Sequence, residues 1–168
     1  MYAIVYTSNT GHTEAYAKLI GEKLGLPVYS LKDALKDLDK GTEVLYFGWI
    51  FANFIKGYPK AAKYFTVKAV CAVGLCDTGT LLEEVRQANK LSEALPLFTL
   101  QGGMDKTRLR GINRFMIDML IKNMSKQTDQ SEDDARKLEL LQNDRDYVSE
   151  ENAVNFFMWY RGIADEIE

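Results

Sequence analysis

The stretch from Tyr2 to Thr13, YAIVYTSNTGHT, holds the residues whose types and spacing are best suited to chemistry. A short apolar run ends at Tyr6, a hydroxyl-rich turn follows, and a helical pattern begins near Gly11. Ser8, Thr10 and Thr13 bring their hydroxyls to that helix start. First-turn N–H groups there lack intrahelical acceptors, and the helix dipole favours negative charge. The chemistry is anion binding, with a phosphate as the natural occupant. No Lys, Arg, Asp or Glu precedes Glu14, so neutral donors alone are expected around that phosphate. For a redox cofactor this matters, because a nearby cation stabilises an added electron. An ordinary strand–turn–helix corner needs a single Ser or Thr cap. Three hydroxyls exceed that need, and the phosphate reading outweighs the plain corner.

Two later loops add candidates. Residues 48–58, GWIFANFIKGY, carry four aromatics in eleven positions. Such a concentration at a strand end suits a wall on which a planar ring stacks. Trp49 is the first choice for that role, while Phe51 and Phe54 can instead pack beneath the loop, and at least one of them is expected to do so. Residues 74–80, GLCDTGT, imitate part of a nucleotide-phosphate loop but lack its lysine and follow the wrong strand. Nucleotide hydrolysis is therefore excluded. No Gly-x-Gly-x-x-Gly follows the first strand, and Thr7, Ser8 and Asn9 stand where a phospho-receiver needs acids.

Composition narrows the classes further. A chain of 168 residues with 46% apolar and 27% charged residues suits one globular domain. A net charge of −3 argues against general nucleic-acid binding. Residues 1–20 show neither a basic start nor a long apolar core, so no signal peptide is expected. No run approaches the roughly 20 apolar residues of a membrane span. Cys71 and Cys76, five positions apart on one strand, point to opposite faces and are expected as free thiols in a reducing cytoplasm. His12 is the single histidine, which leaves little support for a histidine metal cluster; it either donates to phosphate or is an exposed loop imidazole.

Strand and helix patterns alternate along the chain and must position these loops. Strands are expected over 2–6, 27–31, 43–50, 68–76 and 95–101. Helices are expected over 12–24, 58–65, 81–89, 110–124 and 149–167, the last capped by Ser149. The nearly continuous apolar runs 44–51 and 69–76 suit parallel strands covered on both faces. The pattern predicts an α/β doubly wound sheet with helices on both faces. Ser131 and Asp134 can cap a short extra helix within a polar surface excursion over 125–147. In the final helix Val154, Phe157, Met158 and Ile163 fall on or near one face.

Segment 106–126 combines Lys106, Arg108, Arg110, Arg114, Lys122 and Lys126 with a broad apolar spread, against Asp118 as its only acid. One face of this helix is expected to cover the sheet. A second apolar face can touch a membrane surface, a quinone or a partner protein. The plainer alternative is a core helix with a solvated basic rim.

Ser8-Asn9-Thr10-Gly11-His12-Thr13 resembles the phosphate loop of the flavodoxin family, Ser/Thr-x-Thr-Gly-x-Thr after the first strand. The resemblance, which covers about residues 1–102, implies a flavodoxin-like doubly wound five-stranded parallel sheet of order 2-1-3-4-5. Its ligand crevice would lie at the carboxyl ends of strands 1, 3 and 4, and flavodoxin is itself a standard example of that rule. FMN is the implied cofactor. Its implied contacts are Thr7, Ser8, Asn9, Thr10, Gly11, His12 and Thr13, then Trp49, Ile50, Phe51, Ala52 and Asn53, then Cys76, Asp77, Thr78 and Gly79. In flavodoxins a glycine after the third strand lets a peptide flip and pair with the reduced ring. None occurs between Trp49 and Lys56, although Asn53 tolerates a left-handed backbone. Little accumulation of half-reduced flavin is therefore expected. The aromatic that often covers the outer ring face is also missing between Cys76 and Leu97, so that face is open or covered by the segment after the fifth strand.

A narrower likeness follows. Gly102-Gly103, Arg110 to Asn113, Arg114-Phe115-Met116-Ile117 and Lys122-x-Met124-Ser125 resemble the C-terminal half of menaquinone-dependent protoporphyrinogen oxidases. Those are membrane-associated FMN enzymes of flavodoxin fold with a long insertion, whereas the connection from Asp77 to Gln87 is short here. The combined expectation is a cytoplasmic FMN-binding redox protein that passes electrons to a partner protein or a quinone. A peripheral membrane contact would run through 106–126. The alternative is a flavin-dependent oxidase acting on a porphyrinogen or quinone. No side chain is expected to serve as general acid or base.

Overall fold

Strand periodicity and double-sided burial together define the scaffold. A computed structural model describes the backbone of residues 2–167 and the side chains of residues 2–162. Its central sheet comprises β1 (Ala3–Thr7), β2 (Val28–Ser30), β3 (Glu43–Phe51), β4 (Phe54–Ile55), β5 (Thr66–Gly74) and β6 (Leu97–Gln101). The order is β2-β1-β3-β5-β6, all parallel, with β4 folded back antiparallel on β3. This corrects the five-stranded expectation: the sheet has six strands, and the two-residue β4 intervenes in the numbering. The cause is local, since Ala52 and Asn53 both adopt left-handed φ, 48° and 66°, and close a two-residue hairpin.

In β3, Val44, Leu45, Tyr46 and Phe47 are all fully buried, as the continuous apolar run implied. Successive side chains enter opposite layers. Val44, Tyr46, Val70 and Ala72 meet α2 (Leu31–Asp37), α3 (Tyr58–Tyr64) and α4 (Leu82–Ala88) on one side. Leu45, Phe47, Cys71 and Val73 meet α1 (His12–Leu24) and α7 (Val154–Ile167) on the other. Helices thus cover both faces of a mostly parallel sheet, consistent with a doubly wound fold.

Several boundaries differ from the sequence reading. α2 was not expected; it is a seven-residue helix capped by Ser30, whose Oγ accepts from the Asp33 N–H at 3.2 Å. α7 begins at Val154, so Ser149 caps the preceding turn instead, accepting from the Asn152 N–H at 3.2 Å. The buried side of that end of the chain is Ala153 and Phe156, with Phe157, Trp159 and Tyr160 packed around them; Val154 and Met158 are exposed. The Ile163 side chain lies outside the described residues.

Beyond β6 come β7 (Gly103–Met104), α5 (Gly111–Ser125), α6 (Glu132–Gln142) and β8 (Arg145–Asp146), with β7 and β8 forming an antiparallel ribbon. Ser131 caps α6 as expected, accepting from the Asp134 N–H at 3.2 Å. α5 does not cover the sheet. Its one buried residue, Ile117, joins Met104, Leu109 and Leu141, with Phe51 and Leu75 packed alongside. Phe156 supplies the reason: its ring packs on Phe47 and Phe98, at centroid distances of 5.8 and 5.4 Å, and fills the place on the sheet. Among the described residues, no helix is long and apolar enough to cross a membrane.

Candidate functional site

The carboxyl ends of β3, β5 and β6 and the loop after β1 enclose a cavity of about 520 Å³. That volume lies within the range of small-molecule and cofactor sites. The loop after β1 contributes Asn9, Thr10, His12 and Thr13 to its wall. The end of β3 and its hairpin contribute Trp49, Ile50, Phe51, Ala52 and Asn53. The loop after β5 contributes Leu75, Cys76 and Asp77. Residues far apart in the chain therefore line one space. The structure adds a part that sequence reasoning did not assign: Ile117, Leu120 and Met124 of α5, and Asp134, Lys137 and Leu141 of α6.

Five expected residues lie elsewhere. Thr7 and Ser8 line a separate groove with Tyr6, Ser30, Lys32 and Lys60. The Thr7 hydroxyl pairs with the buried Tyr46 hydroxyl at 2.8 Å, and Tyr46 also donates to the Lys56 carbonyl at 2.7 Å. Burial pushes the Tyr46 phenol far above its ordinary range. Thr78 accepts from the Gln101 N–H at 2.9 Å, and the Gly79 N–H donates to the Thr99 carbonyl at 3.0 Å. Those bonds fasten their loop to β6. Gly11 shapes the first turn, at φ 99°, and is not itself part of the cavity wall.

The turn before α1 is built as an open donor site. The Gly11 N–H donates to Ser8 Oγ at 3.2 Å, so the Ser8 hydroxyl is engaged within the turn. No side chain caps α1, which leaves its first-turn N–H groups to an outside acceptor. Thr13 is 2% exposed and lines the cavity, and its hydroxyl has no hydrogen-bond partner among the described residues. Thr10 Oγ lies 3.0 Å from His12 Nδ1. His12 is not the exposed imidazole of the sequence alternative: its side chain is 11% exposed, with Nε2 3.9 Å from Asp146 of β8. A Cβ at Gly103 would press on that ring nitrogen and on the Arg145 carbonyl, so glycine is required there.

The expectation of a cation-free loop is corrected by residues about a hundred positions away. The Arg108 guanidinium lies so close to Gly11 that a Cβ there would collide with it. Arg108 Nε is 3.5 Å from Asp105 Oδ2, and Asn113 Nδ2 donates to Asn9 Oδ1 at 3.1 Å. The hydroxyl of Thr107 donates to Asp105 at 2.5 Å and, with its N–H, holds that carboxyl below the usual range. The sequence signal was the basic run itself, whose destination only the fold reveals.

The aromatic wall is fixed from below. Asn89 accepts from the Ile55 N–H at 2.9 Å and donates to the Asn53 carbonyl at 2.8 Å, pinning the hairpin. Trp49 and Phe51 meet edge to face at 6.2 Å, with Lys56 Nζ over their rings at 5.8 and 5.5 Å. Phe51 packs into the cluster beneath α5, whereas Phe54 is 54% exposed. Asp77 accepts from Arg136 of α6 at 2.8 Å, which ties the cover to the loop after β5. Cys71 and Cys76 are free thiols, and burial pushes both upward, Cys71 most.

No known protein family, curated protein or solved structure matches this chain. The geometry is an uncapped helix start beside a cavity lined by apolar and aromatic side chains together with Asn53, Asp77, Gln127, Asp134 and Lys137. Such a space suits a ligand with a charged tail and a flat, apolar head.

Proposed function

We propose that this chain is a flavodoxin-like FMN-binding redox protein that transfers electrons. The observation that carries the reading is the uncapped start of α1 at the edge of the cavity, beside the Thr13 hydroxyl, which no hydrogen bond among the described residues engages. A phosphomonoester satisfies those donors, and Trp49 and Phe51 supply a wall for the attached planar ring. The parallel strands, taken in chain order without β4, follow the 2-1-3-4-5 arrangement of flavodoxin-like folds. Residues of this chain would divide the work. Thr10, Thr13 and the amides of residues 12–14 hold the phosphate, Trp49 and Phe51 bound the ring, and Cys76 and Asp77 border it. α5 and α6 exclude water from the ring. Bound FMN supplies the one- and two-electron chemistry, while the protein orients it and tunes its potential.

A second reading, an oxidase acting on a quinone or porphyrinogen, is favoured by one feature. Ile117, Leu120, Met124 and Leu141 give the cavity an apolar cover beyond the flavin contacts. The outer face of α5 is the proposed partner surface in either case. Ile112, Phe115 and Met119 are exposed at 74%, 63% and 48%, among exposed Arg110, Arg114, Lys122 and Lys126. The reading puts the protein in the cytoplasm, with α5 facing an anionic membrane surface or an acidic redox partner.

The test is a visible absorbance spectrum of the purified protein, followed by fluorescence titration with FMN and with riboflavin. FMN is expected to bind far more tightly. Replacing Thr10 and Thr13 together with alanine should weaken FMN by about 3–6 kcal/mol, at roughly 1.5–3 per hydrogen bond to a charged group. Equal affinities for riboflavin and FMN would overturn the assignment.

A further inference from the structure

We infer that Arg108 is a specificity residue of the phosphate subsite, supplying the positive charge that residues 7–13 lack, so that the site selects a dianionic phosphomonoester. The inference rests on the FMN reading above and goes beyond its neutral-donor loop. Four observations carry it.

Gly11 stands at φ 99°, and the space a Cβ would need there is taken by the Arg108 guanidinium. The cation therefore lies directly over the backbone of the anion-binding turn. Its carrier segment is anchored at two points. Leu109 is buried in the cluster beneath α5, and Asn113 bonds to Asn9 of the turn at 3.1 Å. The guanidinium also keeps donors in reserve: Asp105 Oδ2 lies 3.5 Å from its Nε, and no acceptor among the described residues is hydrogen-bonded to its two terminal nitrogens. Arginine presents five N–H groups in a planar fork that suits phosphate oxygens. Finally, two carboxylates beside the turn have other partners. Glu14 is paired with Lys18 at 2.5 Å, and Asp146 lies 3.9 Å from His12. Arg108 is thus the cation positioned to meet an incoming anion, while the Thr13 hydroxyl marks the other side of the same turn.

A charge-based contact differs from a merely structural one in its salt and pH response. A phosphomonoester loses its second proton near pH 6. FMN affinity of the wild type should therefore rise across about pH 5–7 as the dianion forms, and fall with added salt. Riboflavin affinity should respond to neither.

The experiment compares wild type, Arg108→Gln and Arg108→Lys by flavin fluorescence titration at low and high salt, with FMN and riboflavin as probes. Arg108→Gln is expected to weaken FMN by about tenfold to a hundredfold, the size of one charge-assisted contact. It should leave riboflavin within about twofold and flatten the salt and pH dependence. Arg108→Lys should restore the salt dependence and part of the affinity. Thermal unfolding of Arg108→Gln should match wild type, because the side chain is mostly exposed. If Arg108→Gln weakens both flavins equally or neither, the inference fails while the FMN reading stands. If the wild type binds neither flavin, the FMN reading fails and this inference fails with it.

Discussion

The sheet region through Gln101 and the cover from Gly103 to Asp146 are held together by different amounts of apolar burial. In the sheet region, two continuous clusters flank β3 and β5, and Ile4, Val5, Tyr46, Phe47 and Val70 are fully buried. The cover buries only Met104, Leu109, Ile117, Leu140 and Leu141, and leaves Ile112 and Phe115 mostly in solvent. Its links to the sheet region include Asn113 to Asn9, Arg136 to Asp77, and the packing of Phe51 and Leu75 beneath it. Burial of apolar area is the dominant favourable contribution to folding. The sheet region therefore sets the global stability, and the cover is a unit of lower local stability laid over the cavity. Elements that admit ligands are drawn from that low-stability end.

The contrast breaks or sharpens under a pair of truncations. Phe156 touches Phe47, Phe98, Trp159 and Tyr160 from α7. Phe156→Ala should cost about 3–5 kcal/mol of global stability, measured by urea unfolding. Leu141→Ala in the cover should cost less, about 2 kcal/mol or below, at the floor of the leucine range. Its loss should appear in hydrogen exchange of α5 and α6, with the sheet amides unchanged. Equal global losses for the two variants would show one undivided core.

Next in size is the outer face of α5. Near an anionic leaflet each basic residue contributes about 1 kcal/mol. Replacing Arg110, Arg114 and Lys122 with glutamate should therefore weaken vesicle binding by at least about 3 kcal/mol. FMN affinity should hold, because none of the three lines the cavity. Wild type that fails to sediment with anionic vesicles at low salt would reassign the face to a protein partner or to none.

The smallest expected effect is a difference in rate. Burial favours the neutral Cys76 thiol, so its thiolate fraction at pH 7 is below that of an exposed cysteine. Alkylation by iodoacetamide should be slow at pH 7, accelerate only above the ordinary thiol range, and slow further when FMN fills the cavity. Cys71, fully buried, should react only on unfolding. Fast labelling of Cys76 at pH 7, unaffected by FMN, would show that the cover does not close over the loop after β5.

Much of the scaffold was legible in the sequence, for a physical reason. Strands buried on both faces read as unbroken apolar runs, and residues 44–47 and 69–73 do so plainly. The hydroxyl-rich turn was legible because three cap-type residues cluster where one suffices. β4 was not, because two residues carry no periodicity and Ala52 is not a residue type that signals a left-handed turn. The buried side of α7 was misread because this stretch is apolar nearly all round. Phe156 and Val154 both fit a helical stripe, and only the slot beside Phe47 chooses between them. Arg108 stood out as part of a basic run, yet its place over Gly11 depends on how α5 is laid across the sheet end. Such placements are tertiary and leave no local pattern.

The central claim, that the turn before α1 holds the phosphate of FMN, is tested most directly by amide chemical shifts. The protein, labelled with nitrogen-15, is titrated separately with FMN and with riboflavin. The account predicts large shifts of the His12, Thr13 and Glu14 amides with FMN and little change with riboflavin, while residues 49–53 respond to both. FMN binding that leaves the amides of residues 12–14 unmoved would contradict it.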